Sequence, residues 1–243
     1  MVDIPNNINV LPEFYRQHFF VLDAFGTLIK PKSGVIEVYH RMGRMAGSQL
    51  SHAQVLERFK TGRRKFFAPV SDTDLLQSSD SVEKTLWRQL VKHVFHDARR
   101  QDDLFDKLWH HFSLPSNWML FEDVADFVTR LNRECRPFAI ASNFDSRLDS
   151  IVEASPELSS AVEVYCSARV GFRKPSAEFY RAVGADLAEK FDTDRILMIG
   201  DDLENDVNAP RQFGWDAVHL DRKPDSPAAA CDGFWTIRSL QQL

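Results

Sequence analysis

Phe19-Phe20-Val21-Leu22 runs without interruption into Asp23, and Gly26 breaks the pattern. An apolar run bounded by a turn residue reads as a buried parallel strand, over about 18–24, ending at a carboxylate. Ligands of open α/β sheets sit at the carboxyl ends of strands, which aims Asp23 into a site. The plainer reading is that Asp23 caps the turn or a following helix. A second acidic feature is denser. Asp201, Asp202, Glu204 and Asp206 put four carboxylates into the six residues after Gly200. They suit a solvated helix start. They equally suit Mg²⁺, which takes a few hard oxygen ligands and keeps waters. Ser142-Asn143 follows a short apolar run, and Lys174 precedes Pro175. Taken singly, these are a turn former and a loop lysine. Taken with Asp23, a cation and a metal offset the repulsion between a nucleophilic carboxylate and a phosphate.

The elements that must position these residues alternate. After a lead-in over residues 1–17, rich in Pro and Asn, comes the first strand. From about 35 to 112 apolar residues recur at helical spacing, beginning with Val35, Val38, Tyr39, Met42 and Met45. A polar break over residues 69–81 divides that helical stretch. Beyond it, strands are expected over about 138–141, 162–166, 195–199, 217–220 and 234–237. Helices are expected over about 122–133, 148–154, 177–187 and 205–213, with Ser176 as an N-cap and Gly214 as a stop. Such alternation argues for a parallel sheet covered on both faces. Asp23, Ser142, Lys174 and Asp201 all fall at strand ends or on loops, so one sheet edge can gather them.

The chain has 243 residues, 44% hydrophobic, enough for one large domain or a core with a smaller companion. Its net charge of −5, with both signs interspersed, argues against nucleic acid or an anionic membrane surface as partner. Cys135, Cys166 and Cys231 are far apart and odd in number, which fits neither a zinc spacing nor a disulfide framework. A reducing, cytoplasmic setting is the simplest. The N-terminal stretch has no apolar signal core, and no run approaches the ~20 apolar residues of a membrane span.

Asp23 with Gly26-Thr27-Leu28, Ser142, Lys174-Pro175, and Gly200-Asp201-Asp202 with Asp206 together resemble the haloacid dehalogenase (HAD) superfamily of hydrolases. Its four motifs occur in order, covering the chain from about residue 18 onward. The resemblance implies a three-layer, Rossmann-like α/β core over residues 1–34 and 113–243, with an all-helical cap domain inserted over residues 35–112. It implies Asp23 as the nucleophile that becomes an aspartyl-phosphate. Thr27 and Ser142 would donate to the phosphoryl oxygens, Asn143 would share the Ser142 loop, and Lys174 would offset the negative charge. For Mg²⁺ it implies Asp23, the Phe25 carbonyl and Asp201 as ligands. Asp206 would act through water or in the surroundings, and Asp202 in either way. The expected partner is a small phosphorylated metabolite, and the expected state a monomer or homodimer.

One position departs from the phosphatase pattern. Where those enzymes carry a second Asp as general acid, this chain has Phe25. A phenyl ring transfers no proton, and acid–base catalysis typically contributes ~10²–10⁴-fold. The Asp23-Ala24-Phe25-Gly26-Thr27-Leu28 stretch also resembles the dehalogenase branch, which attacks carbon without a metal. That branch typically lacks the paired acids kept here at 200–206, and the Ser142-Asn143-Phe144-Asp145 loop resembles phosphatase-like members. The phosphatase reading is therefore preferred. The rivals are a 2-haloacid dehalogenase using Asp23 and a weakly active binding protein. Against the last, buried like charges are costly to keep without a ligand. The helical stretch is expected to act as a lid, with Arg41, Arg44, Arg63, Arg64 and Lys65 as candidate anion contacts or, more plainly, a solvated basic face. The pairs His93/His96 and His110/His111 lack a third metal ligand.

Overall fold

The computed structural model describes residue 8 and residues 11–68, 76–223, 229–231 and 233–243. A short helix α1 (Leu11–Phe14) precedes strand β1 (Phe19–Leu22). Strand β2 (Ile29–Pro31) leads into four helices: α2 (Val35–Met45), α3 (His52–Phe67), α4 (Asp80–Val94) and α5 (Gln101–Ser113). The chain returns through β3 (Trp118–Leu120) and then alternates: α6 (Val124–Arg133), β4 (Phe138–Ser142), α7 (Arg147–Glu153), β5 (Glu163–Cys166). There follow α8 (Ser167–Val170), α9 (Ala177–Phe191), β6 (Ile196–Gly200), a π-helical turn Leu203–Asn208 running into α10 (Ala209–Phe213), β7 (Asp216–Leu220), β8 (Ala229–Cys231) and β9 (Phe234–Ile237).

The main sheet has the order β5-β4-β1-β6-β7-β9-β8, parallel except for β8. β1 lies centrally because all four of its residues are buried, as a strand covered on both faces requires. Its side chains alternate between two cores. Phe20 and Leu22 pack with Ile140 and Ile199 against α6 and α7, while Phe19 and Val21 pack with Ala139 and Met198 against α9. Helices, sheet and helices make the three layers of a Rossmann-like α/β fold. Leu22 pairs with Ile140 on one side and Ile199 on the other. The chain therefore leaves β1 at Asp23 between the ends of β4 and β6, beside Ser142 and Gly200.

Helices α2 to α5 enclose a cluster of their own, with Val38, Val55, Leu90, Val94 and Phe105 at its centre. Helix α3 starts on a reciprocal Ser51–Gln54 capping box, and α4 on the Ser79 hydroxyl. Two features differ from the sequence expectation. The lead-in is not loose throughout: Leu11 and Tyr15 are buried, and the Tyr15 carbonyl accepts from Arg136 at 2.9 Å. The four-helix segment is entered and left through the antiparallel pair β2–β3, too short to show a period in the sequence. Among the described residues no helix is long and apolar enough to cross a membrane. The 69–81 break lies partly outside the described residues.

Candidate active site

Asp23 continues the ladder of β1: its N–H donates to the Ile199 carbonyl at 2.9 Å, which fixes the backbone before the turn. Gly26 then takes φ +95°, and a Cβ there would lie 2.4 Å from the Asp201 carboxylate. Only glycine lets the turn fold this closely over the end of β6. Ser142, the last residue of β4, donates to Asp23 Oδ1 at 2.9 Å. Lys174 reaches in from the loop before α9, and its Nζ donates to Asp23 Oδ1 (2.9 Å), Asp206 Oδ1 (2.6 Å) and the Ala141 carbonyl (2.9 Å). All three donor positions of the ammonium are thus used inside the protein. Burial alone would pull Lys174 down, but Asp206 and Asp23 hold it above the ordinary lysine range, so it stays charged.

Asp23, Asp201 and Asp206 each offer an oxygen within 4.8 Å of the others, the one group of this kind among the described residues. Loss of surrounding water, then the charge of Asp23, pushes the Asp201 carboxyl up to about 7, although Thr27 Oγ1 donates to it at 3.1 Å. With all three ionised, three carboxylates against one ammonium leave an excess of two negative charges. An all-oxygen donor set with that deficit fits a hard divalent cation such as Mg²⁺.

The remaining sequence candidates take distinct places. Asn143 pairs with the Lys174 backbone, donating to its carbonyl and accepting from its N–H, both at 2.8 Å. It holds the Lys174 loop. Asp202 Oδ1 accepts from the N–H groups of Glu204 and Asn205, capping the π-helical turn, and the Asp202 N–H donates to Asp206 Oδ2 at 3.1 Å. Its carboxylate therefore serves the helix start, outside the group of three, while its backbone orients Asp206. Thr27 is fully buried, and the Phe25 side chain is 45% exposed with its ring edge-on to Trp118.

A model of the haloacid dehalogenase-like hydrolases matches residues 19–214, from the first strand to the end of α10. The chain belongs to this family. The haloacid dehalogenase-like hydrolase domain-containing protein 3 of Danio rerio is 27% identical over 208 residues, covering 83% of this chain and 84% of that one. Among solved structures, Bacillus subtilis YfnB with bound magnesium is similar at a TM-score of 0.67 and 18% identity, covering 93% and 96% of the two chains. The L-2-haloacid dehalogenase of Xanthobacter autotrophicus is similar at 0.64 and 15%, covering 91% and 94%. These structural likenesses show the fold, and the family shows a hydrolase.

Above the strand ends, between α2–α5 and the sheet, lies a cavity of about 380 Å³ whose wall includes Phe25 and Asn143. Of the five cationic candidates, Arg63 and no other lines it, stacked on Phe67 and Trp87. Arg44 instead bonds Ser48 and Gln49 at the far end of α2, and Lys65 lies over Phe66. Sequence reasoning missed a second tier behind Thr27. Arg222 donates to the Thr27 carbonyl at 2.8 Å and to Asp123 at 2.9 Å. Asp123 also accepts from Ser239 Oγ and the Leu240 N–H. His219, next to the ladder position of Gly200, lies 3.3 Å from the Asp201 carbonyl. The sequence put Asp123 inside the helix expected over about 122–133; it lies just before α6, and its carboxylate turns to Arg222 and the C-terminal segment.

Proposed function

We propose that this hydrolase is a Mg²⁺-dependent phosphatase acting through an aspartyl-phosphate on Asp23. The observation that carries the reading is the buried Lys174 ammonium shared by Asp23 and Asp206 with Asp201 alongside, a site short of two positive charges. Asp23, Asp201 and Asp206 would hold the ion with the Phe25 carbonyl, and Mg²⁺ would neutralise phosphoryl oxygens and orient the ester.

Ser142 and Lys174 both donate to Asp23 Oδ1, which leaves Oδ2 as the attacking oxygen. Attack forms the Oδ2–P bond and breaks the ester P–O bond, and the leaving oxygen takes the electron pair. Lys174 offsets the charge gathered as two anions meet. Thr27 and Ser142 turn their hydroxyls to the phosphoryl oxygens when a substrate competes for them. Water then attacks phosphorus, releasing phosphate and restoring Asp23. Helices α2 to α5 act as the lid that excludes bulk water from this chemistry.

Rapid-quench mass spectrometry with acetyl phosphate and Mg²⁺ tests this: one phosphoryl group is expected on the peptide holding Asp23, and none in Asp23→Asn. Turnover with no such adduct at any quench time counts against the reading. The apolar wall beside Phe25 also favours a second reading, a 2-haloacid dehalogenase. Halide release from 2-chloropropionate in EDTA, with no phosphate release from any ester, would establish it instead.

A further inference from the structure

We propose that the cavity over Phe25 receives a planar aromatic group on the leaving side of the ester, making aryl phosphates the preferred substrates. This rests on the phosphatase reading and adds the identity of the group that departs. Its wall is built of rings, among them Tyr39, Trp87, Trp109 and Phe112 from the helical segment and Trp118 and Phe144 from the core. Its volume of about 380 Å³ suits a small molecule. Rings bind rings by offset and edge contacts as well as by area.

Among the described residues, the charged side chains of the wall are Lys60, Arg63 and Arg147, all cationic, with no carboxylate beside them. Arg147 is already committed, paired with Asp145 at 2.6 Å and stacked 3.5 Å from the Trp109 ring centre. A polyol or sugar would find poor company. Asn143 has both amide atoms engaged by the Lys174 backbone, so among the described residues Tyr39 offers the one uncharged hydroxyl of the wall. The wall is apolar with a positive bias, as an aryl ring bearing a departing negative oxygen requires.

Phe25 gives the same answer from the chemistry. It stands two residues after Asp23 and supplies no proton, so the leaving oxygen departs with its electron pair as an anion. An aryl oxygen spreads that charge into its ring, which an alkyl oxygen does not do. The aryloxide takes its proton from water after release.

The test separates ring recognition from leaving-group acidity. With full-length protein and Mg²⁺, kcat/KM is compared for phenyl phosphate, 2-naphthyl phosphate and hexafluoroisopropyl phosphate, whose leaving alcohol is comparably acidic but not aromatic. Acetyl phosphate serves as the measure of basal phosphatase activity. The aryl esters are expected to exceed the fluoroalkyl ester by about tenfold or more. Ile36→Trp, which fills the cavity from α2, should bring that ratio towards one. If acetyl phosphate is cleaved but the wild-type ratio is near one, the aromatic assignment is overturned and the phosphatase reading stands. If neither acetyl phosphate nor any of the three esters is cleaved, the phosphatase reading falls and this proposal with it. Should Ile36→Trp fail to fold, the wild-type ratio alone decides.

Discussion

A lysine ammonium with almost no exposure is tolerable only where carboxylates and a carbonyl replace its lost water, and Asp23, Asp206 and Ala141 do so for Lys174. Lys174→Met would leave two buried carboxylates facing each other. Such a half-removed pair costs about 3–5 kcal/mol, so a large drop in melting temperature and loss of turnover are expected in the same variant. Gly26→Ala should also hurt twice. Its φ of +95° disfavours any Cβ, and the added methyl would meet Asp201. The strain alone is worth about 1–2 kcal/mol, and displaced Asp201 should lower Mg²⁺-dependent activity further. Asp201 sets a pH dependence. Its carboxyl lies at about 7, above the ordinary value, so ionising it weakens the metal-free fold as pH rises through that range. A bound cation reverses the sign. The Mg²⁺-induced rise in melting temperature should therefore be larger at about pH 8 than at about pH 6. Asp206, fully buried, is raised to about 7 as well, so an equal or opposite trend would count against both Asp201 and Asp206 as ligands. At this scale the sequence was informative where a residue ends a strand: Asp23 and Ser142 could be placed because the apolar runs before them are unambiguous. Asp202 was not separable from Asp206, since capping depends on the backbone path of a six-residue π-helical turn.

Strands β1, β4 and β6 were legible because a parallel sheet buries both faces, and four apolar residues in a row have few other uses. Short elements were not. The pair β2–β3 and helix α1 carry too few residues for a period, and their place is decided by packing. The second tier was illegible for another reason: Arg222, Asp123 and Ser239 come from three separate loops. Arg222 grips the carbonyl of Thr27, so the post-β7 loop and the C-terminus buttress the turn after Asp23. Arg222→Met should cost about 3 kcal/mol by stranding Asp123, and should lower kcat more than it raises KM because Thr27 loses its anchor. Buried as it is, Asp123 is held below the usual carboxylate range by Arg222, Leu240 and Ser239. The stability it contributes is present above its unfolded pKa and is lost as pH falls through the lowered one. Wild type should therefore be more acid-labile, relative to its neutral-pH stability, than Arg222→Met, as pH-dependent melting curves would show.

The whole molecule divides the work between a sheet edge that gathers charge and a helical segment that supplies an apolar roof. The first half was readable from motifs. The second was not: helical spacing tells which residues face inward, but not that Tyr39, Trp87 and Trp109 line a shared cavity with Phe25. With no acid at position 25, rates should follow leaving-group acidity steeply, with acyl and aryl phosphates well ahead of alkyl ones. Equal rates with chemistry limiting would mean that another residue supplies the proton. Metal-dependent phosphoryl transfer is tested by phosphate release from acetyl phosphate as Mg²⁺ is removed and returned. The expected result is a fall to background in EDTA and full recovery on adding Mg²⁺, with Asp201→Ala inactive throughout. A wild-type rate unchanged in EDTA would exclude Mg²⁺-dependent chemistry at Asp23.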